Sequence, residues 1–238
     1  MINAFQFSAG RVLAGKYQVV QHLGTGWEGE VYLVKEILTG IERAAKFFYP
    51  HRDPKSKKLI VYAQKLHLLQ HCTILIQYHT QDSLSYKGHK IPFLISEYVE
   101  GEPLHNYQTR QPGKRMDTCS ALLLLHELAS GIESIHHMGE YHGDLHTENI
   151  IVRRYGIGFE VKLIDMFNWG APKKINIHDD VCDLIRIFYD ITGGQRHYSK
   201  QPKIVKNICC GLKRTLILKK FRSAGQLREY LETMEWDT

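Results

Sequence analysis

Tyr141-His142-Gly143-Asp144-Leu145-His146-Thr147-Glu148-Asn149, followed by the apolar run Ile150-Ile151-Val152, decides how the rest of the chain is read. Asp144 and Asn149 stand five residues apart, directly before a strand-like run. A second apolar run, Val161-Lys162-Leu163-Ile164, then delivers Asp165. Metal-assisted phosphoryl transfer uses this order of groups. One carboxylate orients the attacking hydroxyl, while an amide and a second carboxylate hold Mg²⁺ against the phosphates. A strand–turn–strand connection between Asn149 and Asp165 brings the three to one cleft wall. His142 and His146 lie four apart, a spacing also seen in zinc sites. The loop context and the absence of a Glu after His142 favour a structural His142 and a catalytic-loop His146.

Upstream, Tyr17-Gln18-Val19-Val20 reads as a strand, and residues 1–15 as a weakly structured entry. Gly24, Gly26 and Gly29 followed by Val31 fit G-x-G-x-x-G-x-V, in which glycines let the main chain lie over nucleotide phosphates. Strand on both sides marks a hairpin, whereas a dinucleotide turn opens a helix after the last glycine. A further strand, Glu42 to Phe48, carries Ala44-Ala45-Lys46, with Lys46 placed 17 residues after Gly29. Residues 59–71 have helical periodicity through Leu59, Ala63 and Leu66. Residues 74–78 and 92–98 read as strands separated by a polar hairpin, 83–90. Residues 116–138 form one buried helix capped by Asp117 or Thr118. His178-Asp179-Asp180 opens a helix ending at Ile191. Residues 195–203 are a loop, 204–218 a helix, and Arg222 to Leu231 the closing helix.

These motifs together resemble the protein-kinase-like superfamily over about residues 17–232. His142-Gly143-Asp144 stands where that family's catalytic loop has His-Arg-Asp, and Asp165-Met166-Phe167 stands where its metal loop has Asp-Phe-Gly. The Gly-Asp-x-His wording is closer to bacterial kinases and small-molecule phosphotransferases. The resemblance implies an α+β fold of two lobes in one domain, 1–238. A small antiparallel β-sheet N-lobe with one helix (about 12–98) leads through a hinge (about 97–101) to a mainly helical C-lobe (about 102–238), shortened like its activation segment. It implies ATP and Mg²⁺ as cofactors. Asp144, Lys46 and His146 become the catalytic candidates, and Asn149 and Asp165 the metal ligands. Gly24, Thr25, Gly26, Gly29, Val31, Ala44, Lys46, Glu97, Val99 and Ile151 become the nucleotide contacts, with Ser96 as gatekeeper and Asp180 as brace of the catalytic loop.

Three departures bear on function. No acidic residue occurs between Pro54 and Gln81, so the regulatory-helix Glu that pairs with the strand Lys is missing, and its place falls near Tyr62. Tyr62 or Gln64 is left to hydrogen-bond Lys46. Gly143 replaces the Arg that reads a phosphorylated activation segment. Only 14 residues separate Asp165 from Asp180, and no Ala-Pro-Glu occurs.

The 238 residues carry a net charge of +6 with 43% hydrophobic content, enough for a packed core and suited to polyanionic ligands. No Lys/Arg run is dense enough to argue for nucleic acid. Five cysteines without C-x-x-C spacing read as buried free thiols of a reducing compartment. The start lacks a secretory pattern and no apolar run spans a bilayer, so a cytoplasmic protein is expected, or one delivered to a host cytosol as an effector. The resemblance favours a Ser/Thr kinase acting on a protein, itself included, as partner. The alternatives are a small-molecule phosphotransferase of the aminoglycoside or choline type and a pseudokinase that binds nucleotide without turnover. Fewer than 75 residues after Asp165 leave little room for a small-molecule acceptor site. Oligomeric state and acceptor are not readable.

Overall fold

The computed structural model describes residues 2–53, 55–166 and 170–235. They fall into two compact units, one running to Gln70 and including Ile76–Val99, the other comprising His71–Leu75 and Glu100 onward.

The first unit is a six-stranded antiparallel sheet with one helix. Its strands are β1 (Val12–Leu13), β2 (Tyr17–Thr25), β3 (Gly29–Glu36), β4 (Glu42–Phe48), β5 (Tyr78–Tyr86) and β6 (His89–Glu97), and its helix is α1 (Lys57–Leu68). The sheet order is β1-β2-β3-β4-β6-β5. Alternation along each strand sorts side chains between two faces. Tyr32, Val34, Ala45, Phe47, Phe93 and Ile95 pack on one face, whereas Phe48 and Leu94 meet Leu59 and Tyr62 of α1 on the other. The Lys46 side chain lies on the α1 side, because β4 alternates Ala45 and Phe47 against Ala44, Lys46 and Phe48.

The entry segment is ordered, contrary to the sequence expectation. Phe5 and Phe7 are buried against Tyr32, Phe47 and Tyr49. The main chain of this strap is satisfied by side chains: Phe5 N–H donates to the buried Glu30 Oε1 at 3.0 Å, and Tyr86 Oη donates to the Phe5 carbonyl at 2.6 Å. Tyr32 and Tyr49 hydroxyls also donate to Glu30. Burial, foremost, and its hydrogen bond to the Glu30 carboxylate push the Tyr49 phenol up to about 12.

The expected strand at 74–78 is displaced to β5, and the expected polar hairpin turns at Lys87-Gly88, both with positive φ, between the paired β5 and β6. Residues 78–86 are mostly polar and none is buried, so hydrophobicity did not mark them; pairing with β6 makes them strand. Helix α1 starts at Lys57 because Asp53 accepts from the Lys58 and Leu59 N–H groups at 3.1 and 3.0 Å, occupying donors that the first turn leaves open.

The second unit is mainly helical. It contains β7 (Glu102–Pro103), α2 (Leu104–Arg110), α3 (Thr118–His137), β8 (Ile150–Tyr155), β9 (Gly158–Leu163), α4 (Lys174–Ile191), α5 (Gly194–Tyr198), α6 (Lys203–Cys209), α7 (Arg214–Lys220) and α8 (Ala224–Thr233). Helix α3 buries Leu122, Leu125, Leu128, Ile132 and Ile135 as its periodicity predicts, and Asp117 Oδ1 caps it by accepting from Ser120 N–H at 2.9 Å. Gly131 admits Ile74 against the helix; a Cβ there would overlap the Ile74 side chain. Helix α4 opens four residues before His178, with Asn176 Oδ1 accepting from Lys173 N–H at 3.0 Å. The expected helix 204–218 is two helices, because Cys210, Gly211 and Leu212 are all left-handed and break it. The five thiols are free, but of them only Cys72 and Cys209 are buried, as expected; Cys182 and Cys210 are half-buried and Cys119 is exposed. No helix among the described residues is long and apolar enough to cross a membrane.

Candidate active site

In the second unit, α3 ends at His137 and the chain enters the loop that carries Asp144. Asp180, fully buried on α4, organises this loop. Its Oδ2 accepts from His142 N–H at 2.8 Å and its Oδ1 from Gly143 N–H at 2.9 Å, while His136 Nε2 lies 3.0 Å from Oδ2. A buried carboxylate with three donors is strongly favoured in place. The sequence expectation of Asp180 as brace matches this geometry, while His136 as a further partner was not foreseen.

His142 is completely buried and structural. Asp144 N–H donates to His142 Nδ1 at 3.3 Å, so the ring proton sits on Nε2 and is given to the Ile164 carbonyl at 3.2 Å. One imidazole thereby ties the Asp144 backbone to the residue before Asp165. Asn149 is nearly buried, and its Nδ2 donates to the Asp144 carbonyl at 2.9 Å and to Asp144 Oδ2 at 3.1 Å. Ile164 N–H donates to the Asn149 carbonyl at 3.0 Å. Asp165 has φ 57°, a left-handed conformation costly for a β-substituted residue and concentrated at functional sites. Asp144, Asn149 and Ile164, the residue directly before Asp165, therefore share one short hydrogen-bonded network. His146 Nε2 lies 3.7 Å from Asp144 Oδ2, both side chains being about half exposed. Ile151 is half-buried on β8. Phe167 lies outside the described residues.

Mg²⁺ is usually held by one or two carboxylates with waters and substrate phosphates, not by a full protein cage. Among the described residues no group of three or more His, Cys, Asp and Glu side chains could hold a metal by itself. Asn149, with both amide hydrogens turned to Asp144, keeps its amide oxygen for a cation, and Asp165 supplies a carboxylate. This donor set fits Mg²⁺ shared with a nucleotide.

Sequence reasoning missed Asp183, one helical turn beyond Asp180 on α4. Burial, first, and then the carboxylates of Asp180, Asp179 and Asp144 push its carboxyl up to about 7. The signal was available: residues three apart on a helix share a face.

In the first unit, Val31, Lys46 and Leu94 are register partners across β3, β4 and β6, as are Leu33, Ala44 and Ser96. Val31, Ala44 and Lys46 thus share one sheet face with α1. Lys46 Nζ lies 4.9 Å from the ring centre of Tyr62 and 5.4 Å from that of Phe48. Tyr62 presents its ring face to the ammonium, a cation–π contact, where the sequence reading expected a hydrogen bond. Among the three glycines of the hairpin, the chain's own packing demands only Gly29, whose Cβ would overlap the Phe47 carbonyl. A Cβ at Gly24 or Gly26 would meet nothing within 4 Å, so the bare backbone there leaves room for an external group. Thr25 Oγ1 is 3.0 Å from His22 Nε2. Glu97 gives its N–H to the Gln77 carbonyl at 2.8 Å and its carbonyl accepts from Ser96 Oγ at 3.5 Å; Val99 follows the end of β6.

Comparison with known proteins gives the family. The family model described as protein kinase domain matches residues 17–205. The chain is 30% identical over 154 residues to the serine/threonine-protein kinase pkn2 of Myxococcus xanthus, covering 65% of this chain and 18% of that protein. It is 24% identical over 241 residues to the probable serine/threonine-protein kinase YbdM of Bacillus subtilis, covering 93% and 90%. The chain thus spans less than a fifth of pkn2 but most of YbdM. A double mutant of the Mycobacterium tuberculosis PknI kinase domain superposes with TM-score 0.69 at 18% identity, covering 97% of this chain and 98% of that one, a likeness of fold.

Proposed function

The chain belongs to the protein kinase domain family, and from that premise we propose that it transfers the γ-phosphoryl group of ATP to a Ser or Thr hydroxyl of a protein, itself included. Asp144 orients the hydroxyl and accepts its proton as the new O–P bond forms and the bond from the γ-phosphorus to the bridging oxygen breaks, leaving ADP. Asn149 holds Asp144 in place and, with Asp165, holds Mg²⁺. Bound there, the ion neutralises charge that builds on the phosphates. His146 meets the γ-phosphate where a Lys usually stands. In the first unit, Lys46 and the main chain of Gly24 to Gly29 hold the phosphates, Val31 and Ala44 face the nucleotide, and the Glu97 carbonyl and Val99 take the adenine. Gly143 offers no cation to a phosphorylated segment, so activity needs no prior phosphorylation.

The observation that carries this reading is the double hydrogen bond from Asn149 to Asp144 in a loop anchored by buried Asp180. Mass spectrometry after incubation with ATP and Mg²⁺, alone and with a Ser/Thr peptide mixture, tests it. Phosphoryl groups on Ser or Thr with wild type, absent with Asp144→Ala, are expected. Nucleotide binding with no transfer to any acceptor overturns it, and transfer to small hydroxyl compounds alone replaces the protein acceptor with a small-molecule one.

A further inference from the structure

Between Asp190 and Glu229 the sequence holds ten Lys and Arg and no Asp or Glu. The whole chain has 31 basic and 25 acidic side chains, so this stretch exceeds the entire net charge of +6 and the remainder is net acidic. Such concentration is not what an evenly solvated surface produces. The stretch forms α5, α6, α7 and the first half of α8, and every one of its cations except the half-buried Arg228 is exposed.

Arg214 is matched by Asp179, and Arg228 by Glu133 and Glu232. Lys206 and Lys220 are held differently. Lys206 Nζ donates to the Ser199 carbonyl at 2.8 Å and Lys220 Nζ to the Asn207 carbonyl at 3.1 Å. Lys220 also rides 4.1 Å above the Tyr230 ring. A carbonyl or a ring fixes an ammonium without cancelling its charge, so these cations are pre-organised and still positive. The left-handed break at Cys210-Gly211-Leu212 turns the chain so that α7 brings Lys220 to Asn207 of α6. Lys206, Lys219 and Lys220 then line one shallow concavity with Leu216 and Cys210 as its apolar part. Lys219 and Lys220 also border a second, with Phe221, Arg222 and Tyr230 and with Glu229 beside them.

We propose that this face docks an acidic segment of the protein substrate, Lys206, Lys219 and Arg222 meeting its carboxylates and Leu216 an apolar side chain between them. The proposal rests on the kinase reading above and adds where that substrate is recognised. Charge complementarity names the occupant's sign. The lining argues for a peptide over other polyanions. Single-stranded nucleic acid is gripped by open aromatic faces, but here Phe221 is buried, Lys220 covers Tyr230, and Tyr198 packs on Tyr189. A lipid surface takes in a broad apolar face, but Leu216 is the one large exposed hydrophobic residue of this stretch among the described residues.

The test uses two readouts. In the first, anisotropy follows a short labelled Glu/Asp/Leu peptide that has no hydroxyl side chain. Wild type should bind it at low salt, and Lys206→Glu/Lys219→Glu should bind at least ~5-fold more weakly, as expected for reversing exposed charges. Binding should fade in molar salt, where the screening length is about 3 Å. In the second, a Ser-containing acceptor peptide is compared with and without an acidic tail. The tail should lower KM for wild type, and the double variant should lose that gain while phosphorylating the tail-less peptide as wild type does. Peptide binding that the variant abolishes, with no phosphorylation of any acceptor, keeps the docking surface and sinks the kinase reading. Equal binding by wild type and variant overturns the docking surface, as does tighter binding to anionic lipid vesicles or oligo-dT than to the acidic peptide.

Discussion

Asn149 grips Asp144 at two points, its Nδ2 donating to the Asp144 main-chain carbonyl at 2.9 Å and to Asp144 Oδ2 at 3.1 Å. One amide thus sets both the backbone and the rotamer of the carboxylate. Under the metal role proposed for Asn149, positioning and metal binding meet in a single side chain.

Asp144→Asn should keep the fold and nucleotide affinity while lowering kcat about 10²- to 10⁴-fold, the range for loss of a positioned acid–base group. Asn149→Ala should lower kcat and also raise the Mg²⁺ concentration needed for half-maximal rate. Steady-state kinetics across a Mg²⁺ series separates the two. An Asn149→Ala enzyme with an unchanged Mg²⁺ requirement would remove that residue from the metal site.

Asp165→Ala should fold as wild type but lose the part of its ATP affinity that depends on Mg²⁺. Without this carboxylate the cation keeps only the Asn149 oxygen from the protein. Calorimetric titration of ATP with Mg²⁺ and with a chelator checks this. Identical titration curves for variant and wild type would refute the assignment.

Asp183 titrates in the fold at about 7, above its ordinary carboxyl range, because burial and the carboxylates of Asp180, Asp179 and Asp144 disfavour its charge. Arg214 acts in the opposite direction. A pKa raised by folding means that the native state holds the proton more tightly than the unfolded chain. The stability contribution is complete below the unfolded value near 4 and is lost as pH rises through about 7. Asp183→Asn should therefore raise Tm relative to wild type more at pH 8 than at pH 5. Thermal melts at both values check it; an equal difference at the two pH values contradicts the raised carboxyl.

Tyr62 touches the Lys46 ammonium through its ring face. Tyr62→Phe should preserve the rate, since the ring remains. Tyr62→Leu should raise KM for ATP by about 2- to 5-fold, in keeping with ~0.5–1 kcal/mol for such a contact. Equal KM values for the Phe and Leu variants would assign Lys46 positioning elsewhere.

The chemistry was legible because phosphoryl transfer needs particular functional groups at short spacings. Asp144, Asn149 and Asp165 sit within one local stretch, and the strand pair between them, β8 and β9, is marked by apolar runs. Lys46 was legible for the same reason, lying in a strand of regular alternation. Features fixed by distant partners were not. Strand β5 is polar and exists through pairing with β6. The α6–α7 break depends on three consecutive left-handed residues, of which only Gly211 advertises itself. Asp183 is perturbed by carboxylates from two elements. The buried strap at Phe5 and Phe7 is satisfied by Glu30, Tyr32 and Tyr86, none of them near it in sequence.

That strap has a consequence for the order in which the protein can be built. Phe5 is made early, yet the hydroxyl that bonds its carbonyl belongs to Tyr86, 81 residues later. On the ribosome the two phenylalanines emerge before the sheet face that receives them; Tyr32, Phe47 and Tyr49 can cover their rings once β3 and β4 are out, but the Phe5 carbonyl gains its Tyr86 partner only when β5 has left the exit tunnel. Closure of the strap at the N-terminal end of the first unit is therefore completed by one of its last-made strands.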